Sequence, residues 1–238
     1  MWPRGVVEVT ALGDRVWPEI EGRPTVLVPV GSVEQHGPHL LLDTDARVAA
    51  AVAVWAAAGP VLVGPTIAYG ASGEHEGFAG TVSVGHEALR LLVELGRSAA
   101  RWAGRLVFVD GHGGNVATLV DAVGLLRYEG RDAAWFACAP EGDAHAGRTE
   151  TSLVLALDPG LVRPAAAGNT APLVELLPAL CTGGVAAVSR NGVLGDRRGV
   201  GGRGGTAARR DGDGAEDGHG PLDPRPHRPP PLTRHSRR

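Results

Sequence analysis

Short apolar runs alternate with longer amphipathic segments over the first 196 residues of the chain. Four of these runs are rich in valine and aromatic residues and are bounded by glycine or proline, which is typical of buried β-strands. They are residues 25–30, 60–68, 105–110 and 133–140. Three segments between them space their apolar side chains as an α-helix does. These segments are residues 44–58, 86–103 and 115–129, in which Leu89, Leu92, Val93 and Leu95 illustrate the spacing.

The alternation of strands and helices predicts the α/β fold class. Strands that are apolar along nearly their whole length indicate a largely parallel sheet with helices on both faces. Right-handed crossovers then place the carboxyl ends of all strands along one edge of the sheet. Ligands of open α/β sheets bind along that edge, so the loops that leave it are the place to look for chemistry.

A polar loop follows each of the four predicted strands. In chain order the loops contain GSVEQHGPH, GASGEHEGFAGT, DGHGGN and EGDAHAGRTETS. Each loop carries histidine, carboxylate side chains or both, and the predicted topology brings all four to the same edge. We therefore expect one functional site that is assembled from several loops.

The first loop carries three side chains that can bind a metal ion. Glu34 and His36 are one residue apart, so an extended backbone would point both side chains the same way. Asp45 begins the next predicted helix, where a negative charge is favoured, and Thr44 is the expected N-cap. Glutamate, histidine and aspartate without cysteine suit Zn, Fe(II) or Mn(II) rather than a soft metal.

The later loops add further candidate side chains. His112 lies between two glycines, and His145 and Glu150 lie in the fourth loop. An all-oxygen and nitrogen set of this kind suits a hydrolytic centre with two ions about 3.5–4 Å apart, although the pattern leaves open whether one or two ions bind. We expect Asp43 to be a solvated acid or a residue at the start of the helix, and in either case outside the site. For His39, a supporting role beside the site and a purely structural role both stay open.

Composition and charge exclude some classes of protein. The chain has 238 residues, a net charge of −3 and only two cysteines. Residues 1–196 contain 13 arginines and 21 acidic residues, so this part is acidic and disfavours nucleic acid as a partner. No apolar segment reaches the length of about 20 residues that a membrane span needs. We expect a protein of the reducing cytoplasm, with neither nucleic acid nor membrane as a partner.

Residues 197–238 differ in kind from the preceding part. They contain ten arginines, nine glycines and six prolines but few large apolar side chains. Such a segment cannot bury enough apolar surface to offset the entropy cost of ordering, which predicts disorder. We therefore divide the chain into a folded domain, residues 1–196, and a disordered tail, residues 197–238.

Three motifs together resemble the creatininase (creatinine amidohydrolase) family. They are GSVEQHGPHLLLDTD, DGHGGN and HAGRTETS, and the resemblance extends over residues 12–196. It implies a three-layer α/β/α sandwich, a hexameric homo-oligomer and a divalent-metal centre that hydrolyses C–N amide-type bonds. Fe(II) or Zn(II), as one or two ions per subunit, is the favoured metal, and Mn(II) also suits these ligands.

The resemblance also implies roles for individual residues. Glu34, His36, Asp45 and His112 match metal-ligand positions, with Asp45 as the bridge between two ions. Creatininase has a further glutamate ligand two residues after the last of these histidines, where this chain has Gly114. Family members with GHGGN are expected to use the glutamate of the last motif instead. In this chain that glutamate is Glu150, which is expected to be a metal ligand and a catalytic residue. His145, in the same motif, is expected to be the acid/base residue near the leaving nitrogen.

Within the family, several segments resemble a subgroup of creatininase-like peptidases of the mycofactocin system. They include DRVWPEI, YGASGEHEGFAGTVSVG and VSRNGVLGD. The resemblance implies release of a C-terminal Val-Tyr dipeptide from a modified ribosomal precursor peptide. These peptidases continue after NGVLGD with a proline and a helix, whereas this chain turns to RRGVGGRGG, as expected if the reading frame shifted after Asp196.

Two alternatives remain at this point. One is a small-molecule amidohydrolase that acts on creatinine or on a formamide. The other is a non-catalytic remnant that binds metal but cannot assemble, because the altered tail replaces the last helix of the family.

Overall fold

The computed structural model describes residues 10–138, 142–164 and 168–196. The predictions of a domain boundary at residue 196 and of disorder in residues 197–238 concern residues outside these ranges, and they stay predictions.

Five strands form one parallel sheet in the order β1-β3-β2-β4-β5. The strands are β1 (Thr10–Ala11), β2 (Thr25–Val30), β3 (Val61–Val63), β4 (Arg105–Asp110) and β5 (Ala133–Ala137). The predictions for residues 25–30 and 105–110 are confirmed to the residue, and these two strands pair along their full length at the centre of the sheet. The short edge strand β1 was not predicted.

The second predicted strand, residues 60–68, is shorter in the structure than the sequence pattern indicates. Regular pairing ends at Val63, ahead of Gly64 and Pro65, and proline has no N–H to donate to a ladder. The chain rejoins the sheet only through an isolated bridge between Val30 and Ile67.

Six α-helices surround the sheet in the described part of the chain. They are α1 (Thr44–Ala56), α2 (Gly85–Leu89), α3 (Leu91–Ala99), α4 (Val116–Tyr128), α5 (Arg148–Leu157) and α6 (Leu173–Val188). The single helix predicted for residues 86–103 is divided between α2 and α3, because the chain tightens at Arg90, where ψ is −7°. None of these helices combines the length and apolarity of a membrane span.

Helices cover both faces of the sheet and confirm the α/β/α sandwich. Val26, Val28 and Phe108 point to one face and pack with apolar side chains of α3 and α4. Leu27 and Val109 point to the other face and pack with α1. The alternation of neighbouring strand residues thus builds two cores, as a doubly covered sheet requires.

The carboxyl ends of β2 and β4 lie side by side and fix the loops that follow them. Val30 pairs with Asp110, and the N–H of Gly111 donates to the Val30 carbonyl at 2.8 Å. A segment near the end of the described chain joins the same edge. Leu194 and His145 exchange two main-chain hydrogen bonds, of 3.0 and 2.8 Å. This contact fixes the fourth polar loop in place.

Candidate metal centre

Side chains from all four polar loops meet in one buried cluster, as the topology predicts. Glu34 and His36 come from the loop after β2, and Asp45 comes from the first turn of α1. The loops after β3, β4 and β5 supply His75, His112 and His145, respectively, and the first turn of α5 supplies Glu150. All of these side chains are buried, apart from Glu150, which is half-buried.

The ligand atoms fall into three overlapping groups of three that are close enough to hold a cation. In each group the candidate atoms lie within 4.8 Å of one another. The groups are Glu34 with Asp45 and His112, Glu34 with His75 and His145, and His36 with His145 and Glu150. The five predicted ligands therefore all belong to at least one group, and His75 is an addition that the sequence analysis left outside the site.

The carboxylates of this cluster fit a bound cation. Both carboxylate oxygens of Glu34 and Oδ2 of Asp45 are buried and accept no hydrogen bond from the described residues. A buried carboxylate oxygen without a partner is costly, and a metal ion is the usual compensation. The oxygens of Asp45 also point to two different histidines, since Oδ1 lies 2.9 Å from His36 Nε2 and Oδ2 lies 3.4 Å from His112 Nδ1.

Main-chain carbonyls orient the two histidines that flank Asp45. His36 Nδ1 donates to the Glu34 carbonyl at 3.1 Å, and His112 Nε2 donates to the Ala71 carbonyl at 3.0 Å. The other nitrogen of each ring therefore points toward Asp45. His36 thus has an arrangement common to metal-binding histidines, in which the outer N–H is held by an acceptor and the inner nitrogen binds the ion, whereas Nε2 of His112 also lies 3.2 Å from Glu34 Oε2.

The cluster divides its histidines into two charge states in the absence of metal. Burial disfavours the charge of His36 and His112, but the carboxylates of Asp45 and Glu34, respectively, outweigh burial and raise each pKa to about 10. Burial, together with the charge of neighbouring histidines, lowers the pKa of His75 to about 3 and that of His145 to about 4. At neutral pH two of the rings are cationic and two are neutral.

The acidic groups respond to the same surroundings. Burial raises the pKa of Asp45 to about 6 and that of Asp110 to about 7. Burial also acts against the charge of Glu34, but contact with His112 and the nearby His75 and His145 hold its pKa below the ordinary value. Glu34 is thus the carboxylate that is most firmly ionised in the cluster.

His145 and Glu150 are positioned by the start of α5. His145 Nε2 donates to the main-chain carbonyl of Gln35 at 2.7 Å, so Nδ1 faces Glu34 Oε1 at 3.7 Å. The next residue, Ala146, takes a φ of 51°, a conformation that is unfavourable for a residue with a Cβ. Its N–H donates to Glu150 Oε2, which turns this carboxylate back toward the cluster.

Two predictions about the first loop have definite outcomes. Asp43 lies outside the cluster, where its carboxylate pairs with Arg47 on the surface at 2.7 Å. The expectation that Thr44 is the N-cap of α1 is wrong, because Thr44 is the first helical residue and its hydroxyl donates to the Leu41 carbonyl. His39 is fully buried and its Nε2 lies 3.0 Å from the Thr151 hydroxyl, which links the first loop to α5.

The space beside Gly114 is taken by a carboxylate from another loop. A Cβ at position 114 would lie 2.8 Å from Oε1 of Glu74. The same oxygen lies 3.7 Å from His112 Nε2 and 3.9 Å from His75 Nε2. Glu74 was not among the predicted site residues. The only sequence signal for it was its place in the polar loop GASGEHEGFAGT, which the predicted topology brings to the same edge of the sheet.

The fold and this cluster define the class of protein. A family model described as creatinine amidohydrolase (creatininase) matches residues 14–208. The chain therefore belongs to the creatininase family, and it is a hydrolase that acts on amide or peptide bonds.

Curated relatives narrow the comparison within the family. The chain is 61% identical over 184 residues to the mycofactocin precursor peptide peptidase of Mycolicibacterium smegmatis. The aligned region covers 73% of this chain and 74% of the relative. The protein of the same description from Mycobacterium tuberculosis is 61% identical over 188 residues, with coverages of 73% and 75%. The creatinine amidohydrolase of Pseudomonas putida is 33% identical over 192 residues, with coverages of 63% and 73%.

Solved creatininase structures share the fold, and the descriptions of two of them name a metal. A structure described as "Creatininase Mn" superposes with a TM-score of 0.63 at 28% identity, covering 80% of this chain and 91% of that chain. A mutant creatininase of "Zn-Zn type" gives a TM-score of 0.62 at 28% identity, with coverages of 80% and 90%. These descriptions agree with the oxygen and nitrogen donor set of the cluster.

Proposed function

We propose that this chain is a metal-dependent peptidase that releases a C-terminal Val-Tyr dipeptide from the modified mycofactocin precursor peptide. The observation that carries the proposal is the buried cluster of carboxylates and histidines, whose unpartnered oxygens fit a cation. The choice of a peptide substrate is supported by the higher identity to the peptidase relatives, 61% against 33% for creatinine amidohydrolase.

We assign Glu34, His36, Asp45, His112 and Glu150 as the ligands of one or two divalent ions. The assignment of Asp45 as a bridge is supported by its two oxygens, which face different histidines. Fe(II) and Zn(II) suit this set best, and Mn(II) has similar requirements. When bound, such an ion polarises the scissile carbonyl and lowers the pKa of water in the site.

His145 is the proton carrier of the proposed reaction. Its Nε2–H is held by the Gln35 carbonyl, so Nδ1 is the nitrogen that can accept a proton inside the cluster. Its lowered pKa keeps the ring neutral at neutral pH, so that Nδ1 carries no proton before the reaction. Nδ1 takes the proton from the attacking water and then delivers it to the nitrogen that leaves as the amine of the dipeptide.

The proposal includes a homo-oligomer in the cytoplasm. Large apolar side chains on the surface of the described chain support an oligomer, among them Trp17 at 86% exposure and Tyr128 at 89%. Both cysteines, Cys138 and Cys181, are unpaired, which suits a reducing compartment. Light scattering of the purified protein tests the assembly, and a monomeric mass would contradict it.

A cleavage assay with matched variants tests the proposal. The metal-loaded wild-type protein should release Val-Tyr from the modified precursor, as measured by mass spectrometry, and should act far more slowly on creatinine or a formamide. Glu34→Ala should lower the rate about 1000-fold, because it removes a ligand of an ion that supplies several kcal/mol. Glu87→Ala, which changes an exposed acid of α2, should leave the rate unchanged. Release of Val-Tyr by Glu34→Ala at the wild-type rate would refute the mechanism.

A further inference from the structure

His75 is a buried histidine inside the cluster that the proposed reaction has not used. It lies in a short 3₁₀ turn, Gly73–His75, and its side chain is 4% exposed. Its ring centroid is 4.3 Å from that of His145, and its Nε2 lies 3.3 Å from Glu34 Oε1. The question is which of its two nitrogens carries the proton, because that decides whether the ring binds a metal or donates a hydrogen bond.

The side chain of Gln35 determines which nitrogen of His75 carries the proton. Its amide nitrogen lies 2.8 Å from His75 Nδ1. The orientation of the amide is fixed by two main-chain groups, since its oxygen accepts from the N–H of Gly37 at 2.9 Å and its nitrogen donates to the Gly192 carbonyl at 3.1 Å. If the amide were turned round, its nitrogen would face the N–H of Gly37 and its oxygen would face the carbonyl oxygen of Gly192, and neither pair could form a hydrogen bond. The amide therefore donates to His75 Nδ1.

It follows that neutral His75 carries its proton on Nε2. The Nε2–H points into the cluster, next to a Glu34 oxygen that accepts no hydrogen bond from the described residues. This is the reverse of His36, whose outer nitrogen donates to a carbonyl and whose inner nitrogen is the one that can bind an ion. His75 is therefore built as a donor and not as a metal ligand, although its distances alone would allow either role.

Gln35 also determines which nitrogen of the adjacent His145 ring carries the proton, and the result is the opposite of that in His75. Its main-chain carbonyl accepts from His145 Nε2, which leaves His145 Nδ1 as an acceptor. One residue thus sets a donor nitrogen on His75 and an acceptor nitrogen on His145 in neighbouring rings. Amide hydrolysis needs both functions, a donor for the carbonyl oxygen as it gains negative charge and an acceptor for the proton of water.

We propose that His75 is a further catalytic residue, whose Nε2–H donates a hydrogen bond to the oxygen of the scissile carbonyl. This inference rests on the proposed function. Water adds to the carbonyl carbon and gives its proton to His145 Nδ1, and the same proton passes to the nitrogen when the C–N bond breaks. His75 keeps its own proton throughout, so the products are one carboxylic acid and one amine.

Kinetics and metal content of His75 variants test this role. His75→Ala should lower kcat about 100-fold, the usual effect of removing one such donor, while metal bound per chain stays at the wild-type value. His75→Gln should recover part of kcat, because the glutamine amide places an N–H near the position of Nε2. His86→Ala, an exposed histidine of α2, should behave as wild type. Unchanged kcat in His75→Ala, or a loss of metal equal to that of His112→Ala, would overturn the proposal.

Nuclear magnetic resonance of the tautomer tests the inference without any substrate. In zinc-loaded protein with ¹⁵N-labelled histidine, two-bond couplings should place the His75 proton on Nε2. Gln35→Glu should move it to Nδ1, since a carboxylate can only accept there, and should lower kcat as His75→Ala does. A proton on Nδ1 in the wild-type protein would refute the inference whatever the substrate is. Failure of wild type to release the dipeptide would instead refute the proposed function and leave this measurement valid.

Discussion

Complete loading of this centre with divalent metal should release about two protons from each chain at pH 8, because His36 and His112 belong to different ligand groups and each must lose one proton. The cluster raises the pKa of His36 and His112 to about 10, so at pH 8 each ring carries its extra proton in about 99% of metal-free molecules. A ring that binds an ion must lose that proton. Asp45 and Asp110, with pKa values of about 6 and about 7, are mainly ionised at this pH and add little to the count.

The same pKa values show how strongly protons compete with the metal for His36 and His112. Two pH units below the pKa, each proton weakens the apparent metal affinity about 100-fold, or about 3 kcal/mol for each ring. The two rings together should therefore weaken the overall affinity for full loading of the centre about 10⁴-fold at pH 8. The logarithm of this overall binding constant should rise by about two for each pH unit between pH 7.5 and 9, because higher pH removes the competing protons.

Isothermal titration calorimetry measures the proton count directly. Zinc is titrated into the metal-free protein in two buffers that differ in ionisation enthalpy, and the difference in heat gives the number of protons released. His36→Gln should reduce the count to about one, whereas His86→Ala, outside the cluster, should leave it at two. A wild-type count near zero would refute the reasoning, since it would mean that the rings are neutral before the ion binds or that they do not bind it.

Three substitutions should change stability in predictable directions in chemical denaturation. Gly192→Ala should destabilise the fold by about 2–4 kcal/mol, because φ is +78° and the new Cβ would overlap the Gln35 amide; stability equal to wild type would contradict this. Gly124→Ala, in the middle of α4 with open space around it, should stabilise by about 0.5–1 kcal/mol, and any clear loss would count against it. Phe108→Ala should cost about 3–5 kcal/mol because Phe108 is fully buried, whereas Tyr128→Ala, at 89% exposure, should stay within about 0.5 kcal/mol. Equal losses for these last two would contradict the assigned core.

The sequence predicts the centre of the fold well because that part depends on local patterns. The strands β2 and β4 are largely apolar and largely buried, which is the pattern typical of a parallel sheet covered on both faces. The meeting of Glu34 and His112 follows from the same argument, since the topology of parallel strands places their loops together. The pattern cannot show where pairing stops, as at Val63, because that depends on individual hydrogen bonds.

The role of His75 could not be predicted, because the groups that define it are distant in sequence. Gln35 lies 40 residues before His75, and Gly192, which fixes the amide, lies 157 residues after Gln35. The sequence pattern places His75 only in the polar loop after the second predicted strand and assigns it no role. The proton position of a ring depends on both of these contacts, and no spacing rule encodes them.

The central claim is that the buried cluster is a hydrolytic metal centre. The rate of dipeptide release, measured as a function of bound metal, tests this claim most directly. Metal-free protein is reconstituted with increasing zinc, and Val-Tyr release from the modified precursor is measured together with the metal content of each sample. We expect no turnover in the metal-free protein and a rate that rises with bound metal to a plateau at one or two ions per chain. Full activity in the metal-free protein, or none at full metal occupancy, would contradict the claim that this cluster is a hydrolytic metal centre.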